Sequence, residues 1–255
     1  MSVIEHPVQR PVMVSDPIGA ARLGTVLGVW AHPDDEAYLS AGLMALARAA
    51  WSRVVCVTAT RGEHGTDDPE RFPPADLARL RTGEMAASMA ALGVREHQFL
   101  DLEDGTLADT PSEPQIDRIR RLIAEFRPDT IVTFGPDGMT GHPDHRTVSD
   151  WTTAAWRDGG CIGRLLYATT TDTFADEHVD LHRRLPVFGP GLPTRTPEHE
   201  LALTVEVRGA VLDTKLAALR AHASQTGVVQ EAFGRAAFRD WWRNETFVDA
   251  AHVMS

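Results

Sequence analysis

Apolar and polar positions fall in blocks along the chain. Residues 25–31 (TVLGVWA) form a continuous apolar run, which predicts a strand buried on both faces. Leu39, Leu43, Leu46 and Ala50 then recur at helical spacing. RVVCVTAT (53–60) predicts a second strand, 75–92 a helix with Gly93 as its stop, and HQFLDL (97–102) a third strand. Ser112 and Gln115 have capping-box spacing, and Ile116, Ile119, Ile123 and Phe126 continue that helix. DTIVTFG (129–135) predicts a fourth strand, and Val148, Trp151 and Ala155 mark the helix after it. Four strands alternating with helices point to a doubly wound, mostly parallel α/β sheet with helices on both faces.

Beyond residue 160 the pattern loosens. Residues 164–171 and 201–207 read as strands, and VFGPGLPTRTPEHE (187–200) between them as a long loop or lid. Residues 208–223 read as a helix. FRDWWRNETF (238–247), with two of the six tryptophans, is expected to pack back onto the body. Residues 1–23 are proline-rich and read as an irregular N-terminal arm, followed by one domain over 24–255.

Length and composition narrow the class. A chain of 255 residues suits a single domain with a sizeable core. The net charge of −11 argues against nucleic acid and anionic membrane surfaces, both of which select basic patches. No apolar run reaches the ~18 residues of a membrane span, and the N-terminus has no secretory h-region. Cys56 and Cys161 show neither metal-ligand nor disulfide spacing, and Cys56 reads as a core residue. A cytoplasmic protein is expected, with oligomeric state left open and a homo-oligomer as one option.

The candidate chemistry lies in a repeated tripeptide. AHPDDE (31–36) follows the first strand, and GHPDH (141–145) follows the fourth. In a doubly wound sheet these strands are commonly neighbours whose helices leave to opposite faces, and ligands bind in the crevice at their C-terminal ends. Proline and acids also suit an ordinary helix start, but that reading leaves His32 and His145 unexplained. His32 and Asp35, three residues apart, can aim at one point, and His145 adds a third ligand. Two imidazoles, one carboxylate and an open position form the pattern of catalytic zinc, with ferrous iron suiting the same donors. Asp34 is then the candidate base for a water, and His142 the acid or oxyanion donor. Asp144 is placed to hold the His142 ring and raise its pKa.

These motifs, together with TRGEHG after the second strand, RTGE in the second helix and HASQ at 222–225, resemble the LmbE-like, PIG-L superfamily of zinc-dependent N-deacetylases. The resemblance runs from about residue 24 to residue 248. It implies a Rossmann-like α/β fold, metal ligands at His32, Asp35 and His145, a general base at Asp34 and an electrophilic histidine at His142. It also implies removal of acetyl groups from N-acetylglucosaminyl compounds, or cleavage of related amides. Mycothiol-pathway members carry a tyrosine two residues before the electrophilic histidine; here that position is Thr140, a shorter hydroxyl and a candidate substrate contact.

Arg81 falls on a nearly apolar helical face. It either pairs with a buried carboxylate such as Glu84 or Asp104, or reaches substrate, as an arginine in RTGE does in the family. Asp104 is either a turn acid or a sugar-hydroxyl acceptor. Glu63 reads as a loop cap and His222 as a satisfied core histidine. The expected reaction is N-deacetylation of a small amino-sugar compound. The alternatives are cleavage of a bulkier acyl or thiol conjugate, and a non-catalytic sugar-binding relative. A receiver-like domain would need Asp101 as phospho-acceptor and Lys215 as its late lysine, and would leave both turn histidines idle.

Overall fold

A computed structural model describes residues 11–185 and 187–253. Eight strands form one sheet: β1 (Val12–Val14), β2 (Val26–Trp30), β3 (Val54–Thr60), β4 (Glu96–Leu102), β5 (Thr130–Phe134), β6 (Arg164–Thr169), β7 (Leu203–Glu206) and β8 (Asn244–Asp249). Their spatial order is β1-β7-β8-β6-β5-β2-β3-β4. All neighbours are parallel except β8, which runs antiparallel between β6 and β7. Every residue of β2, β3 and β5 is buried, as apolar runs without alternation require when both sheet faces are covered.

The helices between the strands follow from topology. α2 (Asp35–Leu39), α3 (Ala41–Ala49) and α4 (Pro74–Leu92) connect strands that advance from β2 to β4. α5 (Ser112–Phe126) then carries the chain back past β2 to β5, and α6 (Pro143–Asp158) leads outward to β6. Right-handed crossovers put these two groups on opposite faces. α3 and α4 pack with α9 (Gly209–Ala221), and α5 packs with α6. β2 and β5 are direct neighbours, pairing from Val26↔Thr130 to Gly28↔Val132, so the loops that follow them open at the same edge.

Four expectations change. The N-terminal stretch is not wholly irregular: Val12–Val14 pairs with β7, and Pro17–Ala20 (α1) is a helical turn capped by Asp16; residues 1–10 of the expected arm lie outside the described residues. The helix after β2 is two helices, broken at Ser40 (φ −146°). The Ser112–Gln115 capping box does not form: Pro111 occupies the cap position without a side-chain bond, and Gln115 Oε1 is buried without a partner among the described residues. The tryptophans of 238–247 do pack inward, but Asn244–Asp249 is also a strand, inserted inside the sheet. The segment after β6 begins with two short helices, α7 (Asp172–Glu177) and α8 (Val179–Arg184), before the irregular 187–197 stretch. The last long helix, α10 (Ala223–Trp241), is interrupted at Gly234 (φ 76°).

Candidate metal centre and active site

β2 ends at Trp30, and the next residues turn sharply into α2. Asp34 takes a left-handed conformation (φ 111°) at the helix N-cap, yet its side chain makes no capping hydrogen bond. A non-glycine residue held there stores roughly 1–3 kcal/mol of strain, which the surroundings must impose. The Asp34 carboxylate is therefore not used to start the helix. His32 and Asp35 face inward; the backbone N–H of His32 donates to Asp35 Oδ2 at 2.8 Å, fixing the carboxylate beside the ring.

His145, on the first turn of α6, reaches the same point. His32 Nδ1 lies 3.1 Å from His145 Nε2 and 3.7 Å from Asp35 Oδ2, and His145 Nε2 lies 3.4 Å from Asp35 Oδ1. The partners on the far side of each ring decide the tautomers. His145 Nδ1 donates to the Gly138 carbonyl at 2.9 Å, with Thr140 Oγ1 at 3.3 Å, and its ring stacks on Phe134 at 4.2 Å. His32 Nε2 lies 3.0 Å from Asp104 Oδ1 and 3.2 Å from Asp144 Oδ2. Each ring thus meets its hydrogen-bond acceptor at the outer nitrogen, and once His32 gives up its second proton, as metal binding requires, two lone pairs face one carboxylate across a shared gap. Backing of this kind by a carbonyl or carboxylate is what orients imidazoles toward a metal.

His32 with His142 and His145, and His32 with Asp104 and Asp144, also lie close enough to share a cation. The second set is already committed. Asp144 accepts from the N–H groups of Gly105 (2.8 Å) and Leu107 (3.1 Å), and Asp104 Oδ2 accepts from the N–H of His64 (2.9 Å). His32 Nδ1, His145 Nε2 and the Asp35 carboxylate form the remaining group of neighbouring donors.

The titrating groups divide by surroundings. Burial lowers His32, but its hydrogen bonds to Asp104 and Asp144 and the charge of Asp35 outweigh this and lift it to about 10. Burial holds His145 well below the usual histidine range, with the charges of His32 and His142 adding to it. Burial pushes Asp34 up to about 6 against the pull of Arg81, and it raises Asp35 against the pull of His32.

Two expectations about the second turn are corrected. Asp144 does not hold the His142 ring: its carboxylate points to His32, and only its backbone N–H reaches His142 Nδ1, at 3.1 Å. The pKa of His142 is lowered rather than raised, by desolvation first and the charge of His32 next, and the charge of Asp144 does not offset these. Because Nδ1 accepts, the His142 proton sits on Nε2. The ring stands at the exposed rim, 4.9 Å from His32 and 5.0 Å from His145 between centroids.

The secondary candidates all make contacts within the protein. Asp104 is buried, with Oδ1 beside His32 Nε2 and Oδ2 accepting from the His64 N–H. Arg81, 3% exposed, donates to the carbonyls of Gly62 (2.8 Å) and Pro33 and lies 3.7 Å from Asp34; Glu84 and Asp104 are not its hydrogen-bond partners. A Cβ at Gly62 would come within 2.1 Å of Arg81 Nη1, so only glycine leaves room for the guanidinium. Glu63 Oε1 accepts from the Asp104 N–H, as a loop cap does. The 187–197 stretch covers the loop carrying His142: Gly189 N–H donates to the Thr140 carbonyl at 2.9 Å, and Thr194 donates to Asp137. Asp101 and Lys215 do not form a receiver site; Asp101 is exposed and paired with Arg61, and Lys215 is buried against Glu245. Glu36 carried no assigned role in the sequence reading. It is fully buried and bonded to His222 Nε2 at 2.8 Å, so the inward-facing His222 was the available clue.

The family model described as GlcNAc-PI de-N-acetylase (PIG-L) matches residues 27–156, which span both His-Pro-Asp turns. The chain belongs to the PIG-L family. A protein of Kineococcus radiotolerans named 1D-myo-inositol 2-acetamido-2-deoxy-alpha-D-glucopyranoside deacetylase is 34% identical over 247 residues, covering 78% of this chain and 68% of its own. One of the same name from Saccharomonospora viridis is 33% identical over 82% of this chain and 87% of its own. Among solved structures, the N,N'-diacetylchitobiose deacetylase of Pyrococcus horikoshii superposes with a TM-score of 0.61 at 22% identity, over 90% of this chain and 85% of that one, and so shares the PIG-L fold. No helix among the described residues is long and apolar enough to cross a membrane.

Proposed function

We propose that this protein is a metal-dependent N-deacetylase of a small compound containing N-acetylglucosamine or a related amino sugar. The observation that carries the reading is the meeting of His32 Nδ1, His145 Nε2 and the Asp35 carboxylate beside Asp34, an acid the fold does not use as a cap. The relatives' named substrate, a glucosaminyl-inositol acetamide, is the first compound to test.

His32, Asp35 and His145 would hold the metal, zinc for preference, with ferrous iron suiting the same donors. When bound, such an ion acidifies water and polarises the acetyl carbonyl. Asp34 takes the proton of the attacking water, and its pKa near 6 leaves it ionised yet basic at neutral pH. The water oxygen bonds to the acetyl carbon, the C–N bond breaks, and the amine leaves with a proton while acetate is released. His142, with its proton on Nε2 at the rim, donates to the developing oxyanion or the departing nitrogen. Asp104 and Asp144 keep the His32 ring turned so that Nδ1 faces inward. Thr140 shares His145 Nδ1 with the Gly138 carbonyl, so any substrate contact would come through its remaining hydroxyl valence.

The test is acetate release from the glucosaminyl-inositol acetamide and from free N-acetylglucosamine, using chelator-stripped protein with and without added zinc or ferrous iron. Turnover is expected only with metal. Asp34→Asn should bind metal normally and lose roughly 10²–10⁴ in kcat. Full turnover by Asp34→Asn, or unchanged metal content in His32→Ala and His145→Ala, would overturn the assignment.

A further inference from the structure

The Pro33–Asp34 peptide group is held at both of its polar atoms. Its carbonyl accepts from Arg81 Nη2, and its N–H donates to Glu36 Oε2 at 3.0 Å. Neither partner is free to drift. Arg81 is anchored a second time on the Gly62 carbonyl. Glu36 Oε1 accepts from Ser88 Oγ at 2.8 Å and meets His222 Nε2 at 2.8 Å, and Glu36, Ser88 and His222 are all fully buried. The HASQ segment brings His222 to this place. Ser224 donates to both oxygens of Glu84, from its N–H at 2.7 Å and its hydroxyl at 2.6 Å, and Gln225 donates to the Gly65 carbonyl at 3.1 Å. The first residues of α10 are thereby stitched to α4 and to the loop after β3.

We infer that Glu36 and Arg81 form a clamp on this peptide that positions Asp34, with His222 and Ser88 holding Glu36 in turn. The reason lies in φ. The clamped peptide is the one whose orientation sets the φ of Asp34, and that φ is 111°, a value no cap bond of the Asp34 side chain supports. Released, the residue would relax toward an ordinary helix start and swing its carboxylate away from the Asp35–His145 gap. Displacement of about 1 Å at a reacting group costs on the order of 10²-fold in rate. Glu36 and His222 are therefore positioning residues, acting through the backbone of Asp34. The inference rests on the reading of Asp34 as the base.

Three variants and one exchange measurement test it. Glu36→Gln keeps an oxygen for the Asp34 N–H, whereas Glu36→Leu removes it. kcat for acetate release should fall by about 10² in Glu36→Leu, with KM and metal content unchanged, and at least ~10-fold less in Glu36→Gln. Replacing both ion-pair partners, Glu36→Leu with His222→Leu, removes the uncompensated buried charge and should regain melting temperature. kcat should stay low in that double variant; a return of kcat with stability would make the pair structural only and overturn the clamp. Independently of turnover, hydrogen exchange should show the Asp34 amide protected in the wild-type protein and released in Glu36→Leu. Fast exchange of that amide in the wild-type protein overturns the clamp even if no Glu36→Leu protein folds. A wild-type protein that releases no acetate, but protects this amide, would refute the proposed function and leave the clamp standing.

Discussion

The Nε2–H of His32 is shared by two aspartates, Asp104 from the loop after β4 and Asp144 from the first turn of α6. Asp144→Asn should therefore act on the metal and not on His142. The affinity for zinc is expected to weaken about 10–100-fold, the usual cost of losing a ligand's outer partner, as measured by competition with a chelator. At saturating zinc kcat should then stay near the wild-type value, whereas His142→Ala should reduce kcat/KM by roughly 10²–10⁴ without weakening zinc binding. At this scale the sequence was legible wherever the geometry is local. His32 and Asp35 are three residues apart across a strand-to-helix turn, and His145 follows a neighbouring strand. The partner of Asp144 was not legible. His142 sits at the N-cap of α6 and folds back onto the Asp144 backbone, so the carboxylate is free to reach across to a residue 112 positions away.

Glu245 shows how one element is built by another. Its two oxygens accept from the N–H groups of Gly42 (2.7 Å) and Leu43 (2.8 Å), which open α3, and from Lys215 Nζ (2.6 Å) on α9. A residue of β8 thus caps the helix that starts after the Ser40 break. No periodicity argument could find that break, since Leu39, Leu43 and Leu46 continue at helical spacing straight through it. β8 itself is not legible because its residues are mixed, with a buried glutamate where an apolar residue would be expected. Lys215→Met should leave the Glu245 charge buried without its cation. The expected loss is about 3–5 kcal/mol of stability, measured by denaturant unfolding, with the melting of α3 and β8 coupled.

Across the whole molecule the alternating pattern was enough to read the parallel sheet, the β2–β5 adjacency and the edge where the site opens, because buried parallel strands announce themselves as unbroken apolar runs. The antiparallel insertion and the edge strand β1 depend on pairings distant in sequence and left no such trace. Global stability should depend on two histidines remote from the site. His97, with Nε2 3.0 Å from Thr58 Oγ1, is held down to about 4 by burial, and His182, which accepts from Trp241 Nε1 at 3.0 Å, is held to about 4 by burial and then by the charge of His178. Both are bases whose folded pKa lies below the ordinary 6.5. The unfolded chain then binds protons that the folded chain refuses, so stability is lost as pH falls from about 6.5 to about 4. Melting temperature should drop across that window, and His97→Gln should flatten part of the drop without changing metal content.

The position of β8 also fixes an order of events in biosynthesis. β7 pairs only with β1 and β8, and β8 is the latest strand in the chain among the described residues. β1 precedes the other described strands, yet it and its partner β7 have no strand joining them to the rest of the sheet until residues 244–249 have left the ribosome. Contacts so distant in sequence close slowly, because the loop entropy must be overcome before any pairing rewards it. Nascent chains arrested before residue 244 should hold β2 to β6 as a protease-resistant core while 12–14 and 203–206 remain open to cleavage. Extending the emerged chain past 249 should protect both stretches in a single step.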